Sequence, residues 1–98
     1  MFLRIHGWHI VDARHITGRH TGRAEIDIIA RRKNTIAFIE VKCRPTLELG
    51  LAAITPAQRA RLRRAAETYM MQTRWHGDAR FDVIVVCGWR IHWLRGAI

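Results

Sequence analysis

The stretch whose reading decides the fold is Ala24–Cys43, "AEIDIIARRKNTIAFIEVKC". Its two arms, "AEIDIIAR" and "TIAFIEVKC", are apolar and rich in isoleucine, which is the composition of buried strands. Only "RKN" separates them, too short for anything but a tight turn, so the arms read as an antiparallel hairpin. Each arm also carries charge: Glu25 and Asp27 in the first, Glu40 and Lys42 in the second. Burying charge without a partner is expensive.

Side chains alternate along a strand, so Glu25 and Asp27 share one face, as do Glu40 and Lys42. With the turn centred between Lys33 and Asn34, Asp27 falls opposite Glu40 and Glu25 opposite Lys42. Directly opposed residues have Cβ atoms about 4.5–5.5 Å apart, and like charges there are destabilising. The two carboxylates therefore call for a cation between them. Magnesium takes oxygen ligands and often only one or two protein carboxylates, so Asp27, Glu40 and the carbonyl of Val41 form a candidate metal set. Lys42, on the same face, is placed to touch a substrate phosphate or a metal-bound water. The plain alternative is a solvated face on which Glu25 and Lys42 form a cross-strand ion pair. A one-residue slip in register would undo the arrangement.

The rest of the chain sets the context. Ninety-eight residues make one domain, residues 1–98, with enough length for one core. A share of 49% hydrophobic and 26% charged residues excludes a disordered chain. No apolar run approaches the roughly 18 residues of a membrane span, and "MFLRIHGWHIV" makes a poor signal peptide. Cys43 and Cys87 sit in strand-like runs without a paired motif and read as buried thiols of a reducing cytoplasm. His6, His9, His15 and His20 show no zinc spacing with them. The net charge of +9 points to a polyanionic partner, nucleic acid before membrane.

"WHIVDA" reads as a first strand and "RHITGRHTGR" as an exposed basic loop. In "TPAQRARLRRAAETYMMQTRW", Thr55, Pro56 and Gln58 have the spacing of an N-cap, a first helical proline and a capping-box partner. Leu62, Ala65, Ala66, Tyr69 and Met70 then form one apolar stripe, with Arg61, Arg63, Arg64 and Arg74 off it. "RFDVIVVC" and "RIHWLRG" read as two further strands. The expected order is βββαββ, an α/β domain with one long helix on a mixed sheet. Asp82 reads as structural, pairing Arg80 or a neighbouring backbone group. Trp75, Trp89 and Trp93 are core or interface residues before they are base-stacking platforms.

Four motifs in order, "AEIDIIAR", "FIEVKCR", "TPAQRARLRRAA" and "RFDVIVV", resemble the YraN-like family of predicted bacterial endonucleases. The resemblance covers the chain from about Phe2 onward. It implies a restriction-endonuclease-like fold, similar to archaeal Holliday junction resolvases, that uses magnesium or manganese to hydrolyse DNA. It also implies a catalytic set of Asp27, Glu40, Lys42 and Gln58, with Glu25 as a possible additional acid. Ala24 stands where the family has glycine. Family members begin with a helix bearing a glutamate, and this chain starts after the corresponding point, which implies a site with fewer carboxylates. Arg14, Arg19, Arg23, Arg44, Arg59 and Arg63 are the candidate contacts to double-stranded or branched DNA. A two-strand substrate suits a homodimer. The competing readings are a non-catalytic DNA-binding member of the same fold and a basic RNA- or ribosome-associated protein.

Overall fold

Lys33 and Asn34 make the turn on which the sheet is built. The computed structural model describes residues 7–17 and 24–98, with the backbone alone for 14–17 and 24. Strand β2 (Ala24–Arg32) runs into strand β3 (Thr35–Cys43), and Lys33 takes a φ of 53° between them. Partners run from Arg32 and Thr35 at the turn to Ile28 and Ile39, the register expected from the sequence.

Strand β1 (His9–Thr17) lies antiparallel to β2. Helices α1 (Leu47–Ala52) and α2 (Pro56–Thr73) follow β3. Strand β4 (Asp78–Cys87) returns parallel to β3, and β5 (Arg90–Leu94) closes the sheet antiparallel to β4. The strands lie in sequence order, β1-β2-β3-β4-β5. The protein is thus an α/β domain with a mixed five-stranded sheet, its one parallel pair joined through the two helices, as a parallel connection requires.

Three expectations need correction. The order is βββααββ, because Leu47–Ala52 forms a helix of its own. Thr46 caps it by accepting the Leu49 N–H at 3.2 Å, and Glu48 sits in its first turn, where a negative charge is favourable. Strand β1 is longer than "WHIVDA" and takes in Arg14–Thr17, whose backbone pairs along β2 as far as Ala24. Cys43 is exposed rather than buried, and Cys87 is partly buried. Cys43 aligns with Val86, so it points away from the face on which Val83, Val85 and Cys87 pack.

That face is the one the helices cover. Leu62, Ala65, Ala66 and Tyr69 of α2 bury Ile29, Ile36 and Phe38. Leu47, Leu51 and Ile54 cover Val83 and Val85. Gly50 lets α1 approach β4, since a Cβ there would lie 2.4 Å from Val85 Cγ1. In β1 the pairing shifts by one residue between Ile10 and Asp12, which places Asp12 level with Ile29 on the helix side. Burial, and then the Asp12 charge, push the Tyr69 hydroxyl pKa upward.

On the opposite face, Trp8, Ala30, Ala37, Ile39 and Ile84 form a second apolar cluster, with Trp93 packed against it. Asp82 lies at its margin, 0% exposed. Its carboxylate accepts both Arg80 Nε and a terminal Arg80 nitrogen at 2.8 Å. It also accepts Trp93 Nε1 and the Gly96 N–H at 2.9 Å each. The structural reading of Asp82 therefore holds.

Removing one partner of a buried ion pair costs about 3–5 kcal/mol. Asp82→Ala takes the acceptor from Arg80, Trp93 and Gly96 together, so urea unfolding should show a loss in that range. Gly50→Ala should destabilise by about 1–3 kcal/mol through overpacking. Adding Val85→Ala should recover part of that loss, which thermal melts of the single and double variants would measure.

Candidate functional site

The β2–β3 ladder stops at Ile28 and Ile39, although β2 stays paired with β1 to Ala24 and β3 with β4 to Cys43. The sheet therefore forks immediately beyond that pair. At the fork the Val41 N–H donates to Asp27 Oδ2 at 2.9 Å instead of to a strand carbonyl. A side chain has taken the place of the backbone. Because the N–H and C=O of an extended residue point to the same side, the Val41 carbonyl also turns toward β2.

Glu40 and Lys42 project from β3 on the helix face, level with Val83 and Val85 of β4. This apolar floor leaves Glu40 only 17% and Lys42 13% exposed at the side chain. Burial pushes the Glu40 carboxyl pKa above its ordinary value, and the neighbouring Asp27 charge pushes it further. Lys42 opposes both effects, with Nζ 3.5 Å from Glu40 Oε1. One lysine at that distance does not neutralise two carboxylates, and the site keeps a demand for positive charge.

Asp27, Glu40, Lys42 and the Val41 backbone are thus brought together. Glu25 is exposed, level with Ile16 of β1, and the ion pair of Lys42 is with Glu40 instead of Glu25. Among the described residues no group of three or more His, Cys, Asp or Glu side chains is placed to hold a metal. The donor set that fits a cation is therefore two carboxylates and a carbonyl, a set that suits a hard ion retaining water ligands. Gln58 completes the capping box: its Oε1 accepts the Thr55 N–H, and its own N–H donates to Thr55 Oγ1, each at 3.1 Å. No hydrogen bond among the described residues joins Gln58 to Asp27, Glu40 or Lys42.

Of the candidate DNA contacts, Arg19 and Arg23 lie outside the described residues, and Arg14 is described only as backbone within β1. Arg44, Arg59 and Arg63 are exposed. The Arg44 guanidinium donates to the Cys43 carbonyl at 2.8 Å, and that of Arg63 lies 4.9 Å from the Phe81 ring centre. Trp75 packs on the helix-side core beneath Arg31, whereas Trp89 is 87% exposed. The sequence reading missed a second basic group, Arg32, Lys33, Arg80 and Arg95, gathered around Trp8. No short motif marks it, because the residues come from the ends of separate strands.

Residues 1–86 match the Uncharacterised protein family UPF0102. A UPF0102 protein of Paramagnetospirillum magneticum is 37% identical over 93 residues, covering 93% of this chain and 72% of that relative. A UPF0102 protein of Methylocella silvestris is 47% identical over 67% of this chain and 55% of its own length. One from Shewanella sp. strain W3-18-1 is 43% identical over 74% of this chain and 69% of its length. Matches of this extent and identity make the chain a member of the UPF0102 family.

Proposed function

We propose that this chain is a DNA-binding, magnesium-dependent endonuclease domain of restriction-endonuclease-like fold that hydrolyses phosphodiester bonds, with branched or recombining DNA as its substrate class. The observation that carries the reading is the fork between β2 and β3, where Asp27, Glu40 and Lys42 converge against an apolar floor. An incidental acidic pair on a solvated face would not have a carboxylate only 17% exposed beside a single lysine.

Asp27, Glu40 and the Val41 carbonyl are the groups that would hold the ion. Magnesium, when bound, stabilises charge on a phosphoryl oxygen and makes water more acidic. Asp27 is oriented by the Val41 N–H, which fixes its Oδ2. Lys42 supplies a cation beside the carboxylates that can shift to the non-bridging oxygens of a phosphate as charge develops there. Exposed Arg44, Arg59 and Arg63 bind flanking phosphates and set the strand's position. The edge strand β5, with exposed Ile91 beside exposed Trp89, is the proposed contact of a homodimer. Among the described residues no helix is long and apolar enough to cross a membrane, and a cytoplasmic setting belongs to the proposal.

The decisive assay offers duplex, single-stranded and branched DNA with magnesium, manganese or EDTA. Metal-dependent cutting should vanish in Asp27→Ala and Lys42→Ala. Binding without cutting under every condition would overturn the catalytic assignment. Affinity should fall with salt, log against log, by about 0.9 for each phosphate neutralised on duplex DNA.

Repulsion within the site gives a second check. The fold holds the Glu40 proton more tightly than the unfolded chain does, so ionising Glu40 costs stability as pH rises above 4.5, the ordinary value. Glu40→Gln should therefore melt higher than wild type at pH 7, and the gain should disappear as pH falls below 4.5. The same substitution, and Asp27→Asn, should abolish the rise in melting temperature on adding magnesium. Equal magnesium responses in wild type and both variants would rule the site out.

A further inference from the structure

On the face of the sheet opposite the fork, Trp8, Arg32, Lys33, Thr35, Arg80 and Arg95 line a cavity of about 230 Å³. Four of these six side chains are cationic. Asp82 stands close by, but its carboxylate is fully buried and taken up by Arg80, Trp93 and Gly96. The cavity is therefore electropositive.

Its lining holds a second, independent sign. Trp8 is 2% exposed, and its indole Nε1–H has no hydrogen-bond partner among the described residues. A buried donor left in this state is costly to the fold. The ring is not loosely placed: it meets Trp93 edge-on at 5.6 Å between centres, and the Arg80 guanidinium lies 4.9 Å from its centre. Arg80 is in turn held by Asp82, and Arg95 lies over Trp93 at 4.7 Å. Two of the cations are thus fixed by aromatic faces, while Arg32 and Lys33 are exposed on the turn. Such a lining sets several charged donors around a buried indole whose N–H is unsatisfied, and it contains no carboxylate.

We propose that this cavity is a phosphate-binding site, separate from the Asp27–Glu40 fork. Thr35 at the cavity and Glu40 at the fork lie five residues apart on β3, about 16 Å at 3.3 Å per residue, and on opposite faces. A phosphate here is not the one undergoing reaction. Its source is either a phosphodiester elsewhere along a bound nucleic-acid strand or a free phosphate group. The first source makes the cavity an anchor that sets where a strand crosses the domain.

The indole N–H signals of the four tryptophans make the test direct, with Trp8 assigned by its loss in Trp8→Phe. Titrating the intact protein with inorganic phosphate should move the Trp8 signal saturably. A variant with Arg32→Gln and Lys33→Gln, both exposed positions, should weaken that response at least tenfold while the remaining spectrum stays folded. A duplex oligonucleotide that moves the same signal, and competes with phosphate, assigns the site to a strand. In that case the double variant should flatten the salt dependence of DNA binding by about 0.9. A response to phosphate but not to the oligonucleotide assigns the site to a free phosphate. If neither probe moves Trp8 in wild type, the proposal is overturned. Asp27→Asn should leave the Trp8 response to inorganic phosphate unchanged, so failure of the metal site and failure of this one are told apart.

Discussion

Everything at the candidate site depends on where the Val41 N–H goes. A strand amide must find an acceptor, and here it finds Asp27 Oδ2 rather than a carbonyl of β2. That choice ends the β2–β3 ladder while each strand keeps its outer partner. The separation leaves a notch at the level of Asp27 and Glu40, on the face where α1 and α2 have already excluded water from β4. Asp27 thus has two consequences from one bond. It replaces a ladder hydrogen bond, and it brings its own negative charge beside Glu40.

The molecule contains two acidic centres, and their contrast separates structure from chemistry. Asp82 is completely buried but meets four donors, one pair of them from a guanidinium matched to its geometry. Its needs are met within the protein, and it ties the start of β4 to β5 and to the turn at Gly96. Glu40 is less buried and far less satisfied, with Lys42 at 3.5 Å set against burial and Asp27. A folding domain gains nothing from keeping such repulsion, because replacing one acid by its amide removes it. Unmet demand for positive charge at a half-buried notch is the mark of a place where something else binds.

Much of this was legible from residue types alone, where local rules act. The two-residue turn set the hairpin register, the Thr55–Gln58 box set the start of α2, and the apolar stripe from Leu62 to Met70 set its buried side. What escaped depends on tertiary context. Helix α1 has only six residues, too few for a periodic pattern, and it persists because Thr46 caps it and Gly50 packs on Val85. Cys43 follows an apolar run but belongs to the uncovered side at the end of its strand. The fork could not be read either: Asp27 opposite Glu40 is implied by the register, whereas the loss of the ladder beyond them is a competition for one amide. Glu25, two residues away in the same strand, shows the limit of spacing. Alternation predicts it on the face of Asp27, yet its neighbour Ile26 packs into the helix-side cluster and Glu25 is exposed, level with Ile16.

The arrangement of charge bears on how such a domain would meet a polyanion. Among the described residues, arginines stand over aromatic rings at five places: Arg31 on Trp75, Arg63 on Phe81, Arg80 on Trp8, Arg90 on Trp89 and Arg95 on Trp93. Each contact restrains a long side chain before any ligand arrives, which lowers the entropy lost when that side chain grips a phosphate. These positions lie on both faces of the sheet and around β5, so the positive charge they carry is not confined to a single groove. Against that charge the Asp27–Glu40 notch is a small negative spot. A polyanion drawn in by the surrounding charge would be repelled at the notch unless a cation filled it. If the proposed function holds, the protein's own charge pattern would couple occupancy of the notch to close approach of a phosphate. That coupling requires no motion of the backbone, only the electrostatics that the fork between β2 and β3 already sets.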